Sequence, residues 1–191
     1  LRRLSPVCFC KTYSLFYFRN NSVCHNISLL LSEYTIYFRE NKDKLQKEGL
    51  FDQKYKKPLP EYPENIAVIT SPTGEAINDI TSTIQKRYPL AHILLYPSLV
   101  QGDDAPADLI KKLRLAYTND KIDCLIIGRG GGSFEDLSCF NDETLARVLF
   151  EAPFPTISAV GHEGDFSICD FVASHRAPTP TGAAMLATKD K

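Results

Sequence analysis

The six residues Gly128-Arg129-Gly130-Gly131-Gly132-Ser133 carry the clearest chemical potential in this sequence. Closely spaced glycines allow backbone N–H groups to converge on one concavity, which suits a phosphate oxyanion. Arg129 adds a planar, bidentate phosphate donor among them. The segment is not a triphosphate-binding loop, because no Gly-Lys-Ser/Thr follows. It also misses the dinucleotide fingerprint, since Ser133 stands where the third glycine belongs. A plain turn would not need four glycines in five positions. Gly128, Gly130, Gly131, Gly132 and Ser133 are therefore expected to cradle a phosphate beside Arg129.

A second constellation is Gly161-His162-Glu163-Gly164-Asp165. A helix starting here would place His162 and Asp165, at i and i+3, on one face. A carboxylate beside an imidazole fixes its tautomer and tunes it for acid–base work near neutral pH. Asp79 follows the polar turn Ser71-Pro72-Thr73-Gly74. By itself it reads as a solvent-facing helix residue. Asp170 is expected to be a helix-surface carboxylate, the alternative being support of the site or a metal shared with Asp165. His92 reads as a core or edge histidine. Tyr13, Phe16, Tyr17 and Phe18 read as a packed strand rather than base-stacking aromatics.

The elements that must position these residues begin beyond a linker containing Pro58, Pro60 and Pro63, which exclude a regular helix or central strand. Continuous β-branched and apolar runs predict strands at 66–70, 92–96, 123–127 and 156–160. Helical spacing predicts helices at 75–87, 105–117, 143–150 and 165–173, and a polar helix at 32–49 ends at Gly49. Such alternation implies an α/β fold: an open, mostly parallel four-stranded sheet with helices on both faces. A poorly defined N-terminal segment and a short helix precede it. The expected organisation is an undefined segment over 1–32, a helix and Pro/Lys linker over 33–64, and the α/β domain over 65–187. Function in such sheets gathers at the carboxyl ends of the strands, where three of the four loops hold these glycines and ionisable groups.

The chain has 191 residues, 43% of them hydrophobic, and a net charge of −1, which fits a globular core. Residues 1–65 carry +4 and the remainder −5, so a grip on a polyanion must come from a local patch or from elsewhere. Six cysteines with no CxxC pair read as free thiols of a reducing compartment, and a cytoplasmic location is expected. Cys8, Cys10, Cys24 and His25 match no zinc spacing. No apolar run reaches the ~20 residues that cross a bilayer, so no membrane contact is expected. The first 32 residues lack Asp and Glu and faintly resemble a transit peptide, although a start at Leu1 also suits a fragment.

Together, residues 69–74 (ITSPTG), 128–137 (GRGGGSFEDL), 158–165 (SAVGHEGD) and 176–184 (RAPTPTGAA) resemble the large subunit of bacterial exodeoxyribonuclease VII. The segment Glu48-Gly49-Leu50-Phe51-Asp52 agrees, and the resemblance covers about residues 33–187. It implies hydrolysis of single-stranded DNA from its ends to 5′-phosphorylated oligonucleotides, in complex with a small helical subunit. Carried over by motif, the catalytic positions are Asp79, Arg129, His162 and Asp165. No cofactor is implied as obligatory, a divalent metal being optional and no metal-ligand set being assigned. The oligonucleotide-binding barrel and the coiled coil that recruits the small subunit are expected to lie outside this chain, so the fragment's own activity stays open. Gly164 replaces a usual Thr, Ser174-His175 an Asp-Leu pair, and Met185 a Glu. A phosphate- or nucleotide-binding α/β module without catalysis, or an inactive truncated remnant, are the competing readings.

Overall fold

A computed structural model describes residues 35–131, 134–161 and 164–188, with the side chains of 134–136 excluded. Contacts group the chain into Leu1–Ile36 and Tyr37–Lys191, and the account below concerns the second unit. Its elements are α1 (35–47), β1 (Asn65–Thr70), α2 (Glu75–Arg87), β2 (His92–Pro97), α3 (Ala105–Tyr117) and β3 (Cys124–Gly128). They are followed by a 3₁₀ segment (Phe134–Asn141), α4 (Glu143–Phe150), β4 (Thr156–Ala159), α5 (Ile168–Val172), β5 (His175–Arg176) and α6 (Pro180–Ala187).

The sheet is parallel throughout, in the order β2-β1-β3-β4-β5. β1, β3 and β4 are the apolar runs, and every residue from Ile66 to Thr70 and in β3 and β4 is buried. Burial on both faces is what such continuous runs require. β2 lies at an edge and alternates between exposed and half-buried residues, with His92 exposed. Ile66, Val68, Cys124, Ile126 and Ile157 face α2 and α6, where Ile80 and Ile84 meet Ala183, Ala184 and Ala187. Ala67, Ile69, Leu125 and Ile127 face the opposite layer, built from α3, α4, α5 and Leu45 of α1. A right-handed crossover places its helix on one face or the other according to which way the chain steps across the sheet. β1 to β2 steps one way, whereas β2 to β3 and β3 to β4 step the other, so α2 is separated from α3 and α4.

Two expectations are corrected, and one element is added. The sheet has a fifth strand, β5, which is two residues long, half-buried and not apolar. Only its pairing with Ile157 and Ser158 defines it, and no sequence run announces it. The last crossover helix opens at Ile168 rather than Asp165. Ser167 caps it, accepting from Asp170 N while the Asp170 carboxylate accepts from Ser167 N, a reciprocal box that fixes the first turn. Asp165 therefore precedes the helix, and the same-face argument for His162 and Asp165 does not apply. Finally, α6 emerges from the 176–184 motif, with Thr179 as N-cap and Pro180 at the first helical position.

The linker lies against this body. Lys56 Nζ donates to the carbonyls of Phe171, Val172 and Ala173 at the end of α5, and Lys57 Nζ donates to Ala152 O. No helix among the described residues is long and apolar enough to cross a membrane.

Candidate active site

In this strand order the chain leaves β1 in one direction and returns to β3 in the other, so the carboxyl ends of β1 and β3 flank a crevice that no crossover covers. A cavity of about 780 Å³ occupies that position. Ser71–Glu75 after β1, Pro97–Gln101 after β2 and Arg129–Gly131 after β3 form its walls.

The glycines at the end of β3 and just beyond it meet different surroundings. None of Gly128, Gly130 and Gly131 takes a positive φ, and space by itself calls for glycine only at Gly128. A Cβ on Gly128 would stand 2.8 Å from Ala159 O, so the close approach of β3 and β4 depends on that glycine. At Gly130 a Cβ would lie 3.7 Å from Ala76 N and 3.9 Å from Glu75 N. The loop therefore passes directly over the first-turn amides of α2. Gly74 at the N-cap brings no side chain to those amides, which retain the partial positive charge of a helix start. A Cβ on Gly131 would meet nothing within 4 Å. Arg129 N donates to Ala159 O at 3.3 Å, and the Arg129 residue, 4% exposed, lines the cavity beside Gly130. Gly132 and Ser133 lie outside the described residues.

The loop after β4 is folded tightly on itself. A Cβ on Gly161 would stand 1.8 Å from Asp165 O. Asp170, expected on the helix surface, is buried at 7% exposure. Its carboxylate accepts from Ser158 Oγ at 2.6 Å, Ser167 N at 2.8 Å and Ser167 Oγ at 2.9 Å, and these three donors offset its burial. Arg176 of β5 donates through Nη2 to Gly161 O and Asp165 O, each at 3.4 Å, and its Nε lies 3.9 Å from Asp170 Oδ2. The same guanidinium rests 4.0 Å from the Phe166 ring centroid, and Phe166 stacks on Phe171 at 5.5 Å. Arg176, backed by Asp170 and Phe166, thus holds the carbonyls of Gly161 and Asp165. Support of the site was the lesser of the two readings of Asp170 in the sequence, and Arg176 and Phe166 had no expected role. The Ser167-x-x-Asp170 capping pattern was the available signal for Asp170; Arg176 had none beyond its motif.

Of the residues expected to act, Arg129, Gly130 and Gly131 are brought together in the cavity wall. Gly128 is buried beneath them. Asp79 is exposed on α2, one turn beyond Glu75 and outside the lining. Asp165 is half-buried in the neighbouring loop. His162 and Glu163 lie outside the described residues, as do Cys8, Cys10, Cys24, His25 and the aromatic cluster at 13–18.

Cys124, Cys139 and Cys169 are buried thiols with no disulfide among the described residues. Burial pushes the Cys124 thiol up to about 12 and Cys169 well above its ordinary range. Both are therefore protonated at neutral pH and are poor nucleophiles or ligands. Among the described residues no three His, Cys, Asp or Glu side chains gather closely enough to hold a metal ion.

Residues 50–191 match the family described as exonuclease VII, large subunit. Among curated relatives, the exodeoxyribonuclease 7 large subunit of Bacillus pumilus (strain SAFR-032) is 55% identical over 150 residues, covering 78% of this chain and 34% of the relative. That of Clostridioides difficile (strain 630) is 54% identical over 153 residues, covering 80% of this chain and 38% of the relative. The Bacillus thuringiensis (strain Al Hakam) protein is 53% identical over 150 residues, covering 78% and 33%. The chain spans about a third of the length of these relatives.

Proposed function

Because this chain belongs to the exonuclease VII large subunit family, we propose that its α/β body over 65–187 hydrolyses phosphodiester bonds in single-stranded DNA from the ends. What supports this is the position of Arg129, a buried cation in the wall of a cavity at the strand-order reversal, with Gly130 set over the uncapped amides of α2. An oxyanion seated there is met by a guanidinium and a helix start together.

In the proposed reaction the scissile phosphate sits against Arg129 and the backbone of Gly130 and Gly131. These groups stabilise the charge that gathers on the nonbridging oxygens as water adds to phosphorus. His162 takes the proton from the attacking water or gives one to the departing 3′ oxygen, and Asp165 orients it. The P–O3′ bond breaks and the phosphate stays on the 5′ side of the released fragment. Asp79 aligns the water or completes the hydrogen-bond network. Gly128, Gly132 and Ser133 complete the cradle. No metal or other cofactor is required in this scheme. The small subunit completes the working enzyme, in a soluble cytoplasmic setting, through regions outside this chain.

The test is incubation with end-labelled single-stranded DNA, with and without EDTA, for the wild type and Arg129→Ala, in the presence of the small subunit of a relative. Short 5′-phosphorylated products that persist in EDTA and fall at least about a hundredfold in the variant are expected. Undiminished cleavage by Arg129→Ala would remove the phosphate clamp. DNA binding without cleavage would favour a non-catalytic module.

A further inference from the structure

The cavity that Arg129 lines also has apolar residues in its lining. Pro72 from the β1–α2 turn and Pro97, Leu99 and Val100 from the β2–α3 loop present apolar surface to the same space. Leu99 is 54% exposed. Single exposed leucines are ordinary. What distinguishes Leu99 is the way its loop is held. Asp108 of α3 accepts from Leu99 N at 2.9 Å and from Ser98 Oγ at 3.0 Å, and Ser98, 5% exposed, donates from N to Thr70 O at 3.0 Å. One residue further on, Cys139 Sγ donates to Val100 O. The backbone on either side of Leu99 is pinned to β1, α3 and the 3₁₀ segment, which fixes the position of this exposed leucine in the cavity lining. Chiefly through the Leu99 N–H, the Asp108 carboxyl is kept below the usual carboxylate range, so this anchor is charged at neutral pH.

We infer that Pro72, Pro97, Leu99 and Val100 form a nucleobase subsite, on which the base of the nucleotide whose phosphate sits at Arg129 comes to rest. This rests on the phosphate reading of Arg129. The cavity is of the size that takes a small-molecule ligand rather than a lone ion. Its lining offers a surface to each part of a nucleotide, Arg129 and loop backbone for the phosphate and Pro72, Pro97, Leu99 and Val100 for the base, with Ser98, Gln101 and Asp108 between them. Proline rings and a leucine offer no hydrogen bond to a base edge, so the wall favours a base over no base without selecting which one. Gln101 at the rim is the nearest side-chain amide in the β2–α3 loop. An enzyme degrading arbitrary sequence needs a subsite of this kind.

The experiment follows amide shifts of the ¹⁵N-labelled chain during titration with dAMP, dTMP and 2-deoxyribose 5-phosphate. The two nucleotides are expected to bind about tenfold more tightly than the baseless sugar phosphate, the effect of covering roughly 55 Å² of apolar surface. They are expected to differ little from each other. Leu99→Ala, at an exposed position, should bring the nucleotides down to the affinity of the sugar phosphate, and Leu99→Phe should widen the gap. Equal binding of all three probes by the wild type, with Arg129→Gln weakening each, overturns the subsite and leaves the phosphate clamp standing. A base-dependent gain that survives Leu99→Ala also overturns it. If Arg129→Gln changes no affinity while Leu99→Ala still abolishes the gain, the phosphate reading falls, and with it the claim that one nucleotide spans both walls. Absence of any shift up to about 10 mM ligand removes both.

Discussion

Asp165 O lies 1.8 Å from the point where a Cβ on Gly161 would stand, so these two residues can approach as they do only because one has no side chain. The obstacle is backbone, held in turn by Arg176, and cannot swing aside as a side-chain tip would. Gly161→Ala must therefore displace the segment that carries His162 and Asp165. We expect a loss of about 1–3 kcal/mol in stability. Cleavage should fall by at least two orders of magnitude, since misplacement of about 1 Å costs that much. Chemical denaturation alongside a single-turnover nuclease assay checks both.

The buried Asp170 carboxylate is satisfied by three donors, two from Ser167 and one from Ser158. An amide in its place offers one oxygen and turns an NH₂ toward a donor. Asp170→Asn should cost about 2–4 kcal/mol, and Ser158→Ala, which removes a single donor, about 1–2 kcal/mol. Because Ser158 and Asp170 share one bond, the double variant should lose less than the sum of the two. Urea unfolding of the four proteins in the cycle measures this.

Gly128 and Gly130 should respond differently to alanine. At Gly128 the new methyl would meet Ala159 O at 2.8 Å and Ala159 Cβ at 3.0 Å, between two central strands. That variant should lose about 1–3 kcal/mol. At Gly130 the nearest atoms are at ordinary contact distance, 3.7 Å, but they are the first-turn amides of α2. Gly130→Ala should melt like the wild type and bind phosphate-bearing ligands more weakly. Equal melting losses in both variants would show that the two glycines do not divide their duties in this way.

Lys56 sets a pH dependence. Burial pulls its ammonium down to about 8, from 10.5 for the free side chain. Between those values the unfolded chain keeps a proton that the folded chain has released, so stability rises with pH across this window. Below about pH 8 both states are protonated and the burial penalty is present in full. The neutral amine still has two N–H donors for the α5 carbonyls. Relative to Lys56→Gln, the wild type should gain in melting temperature on going from about pH 7 to about pH 10. A difference independent of pH would show that Lys56 titrates normally.

Much of the framework was legible from local pattern. The predicted helices at 75–87, 105–117 and 143–150 coincide with α2, α3 and α4, and the four apolar runs are β1 to β4 within a residue at either end. Periodicity and β-branching report which residues are hidden, and hidden residues outline elements. The helix expected over 165–173 starts three residues later, at Ile168, because the local Ser167-x-x-Asp170 capping box sets its first turn. Two-residue β5 had no local pattern to read.

By itself, then, the amino-acid order settled the alternation of elements and the parallel sheet, and it marked the loops proposed here to hold a phosphate. The strand order, and hence which two loops flank an open crevice, was left to the tertiary structure, as were the burial of Asp170 and the convergence of Arg176 on Gly161 and Asp165. The physical reason is range. Burial patterns arise from neighbours three or four residues apart, whereas strand pairing and carbonyl-to-guanidinium contacts join segments whose separation in the chain leaves no imprint on either segment alone.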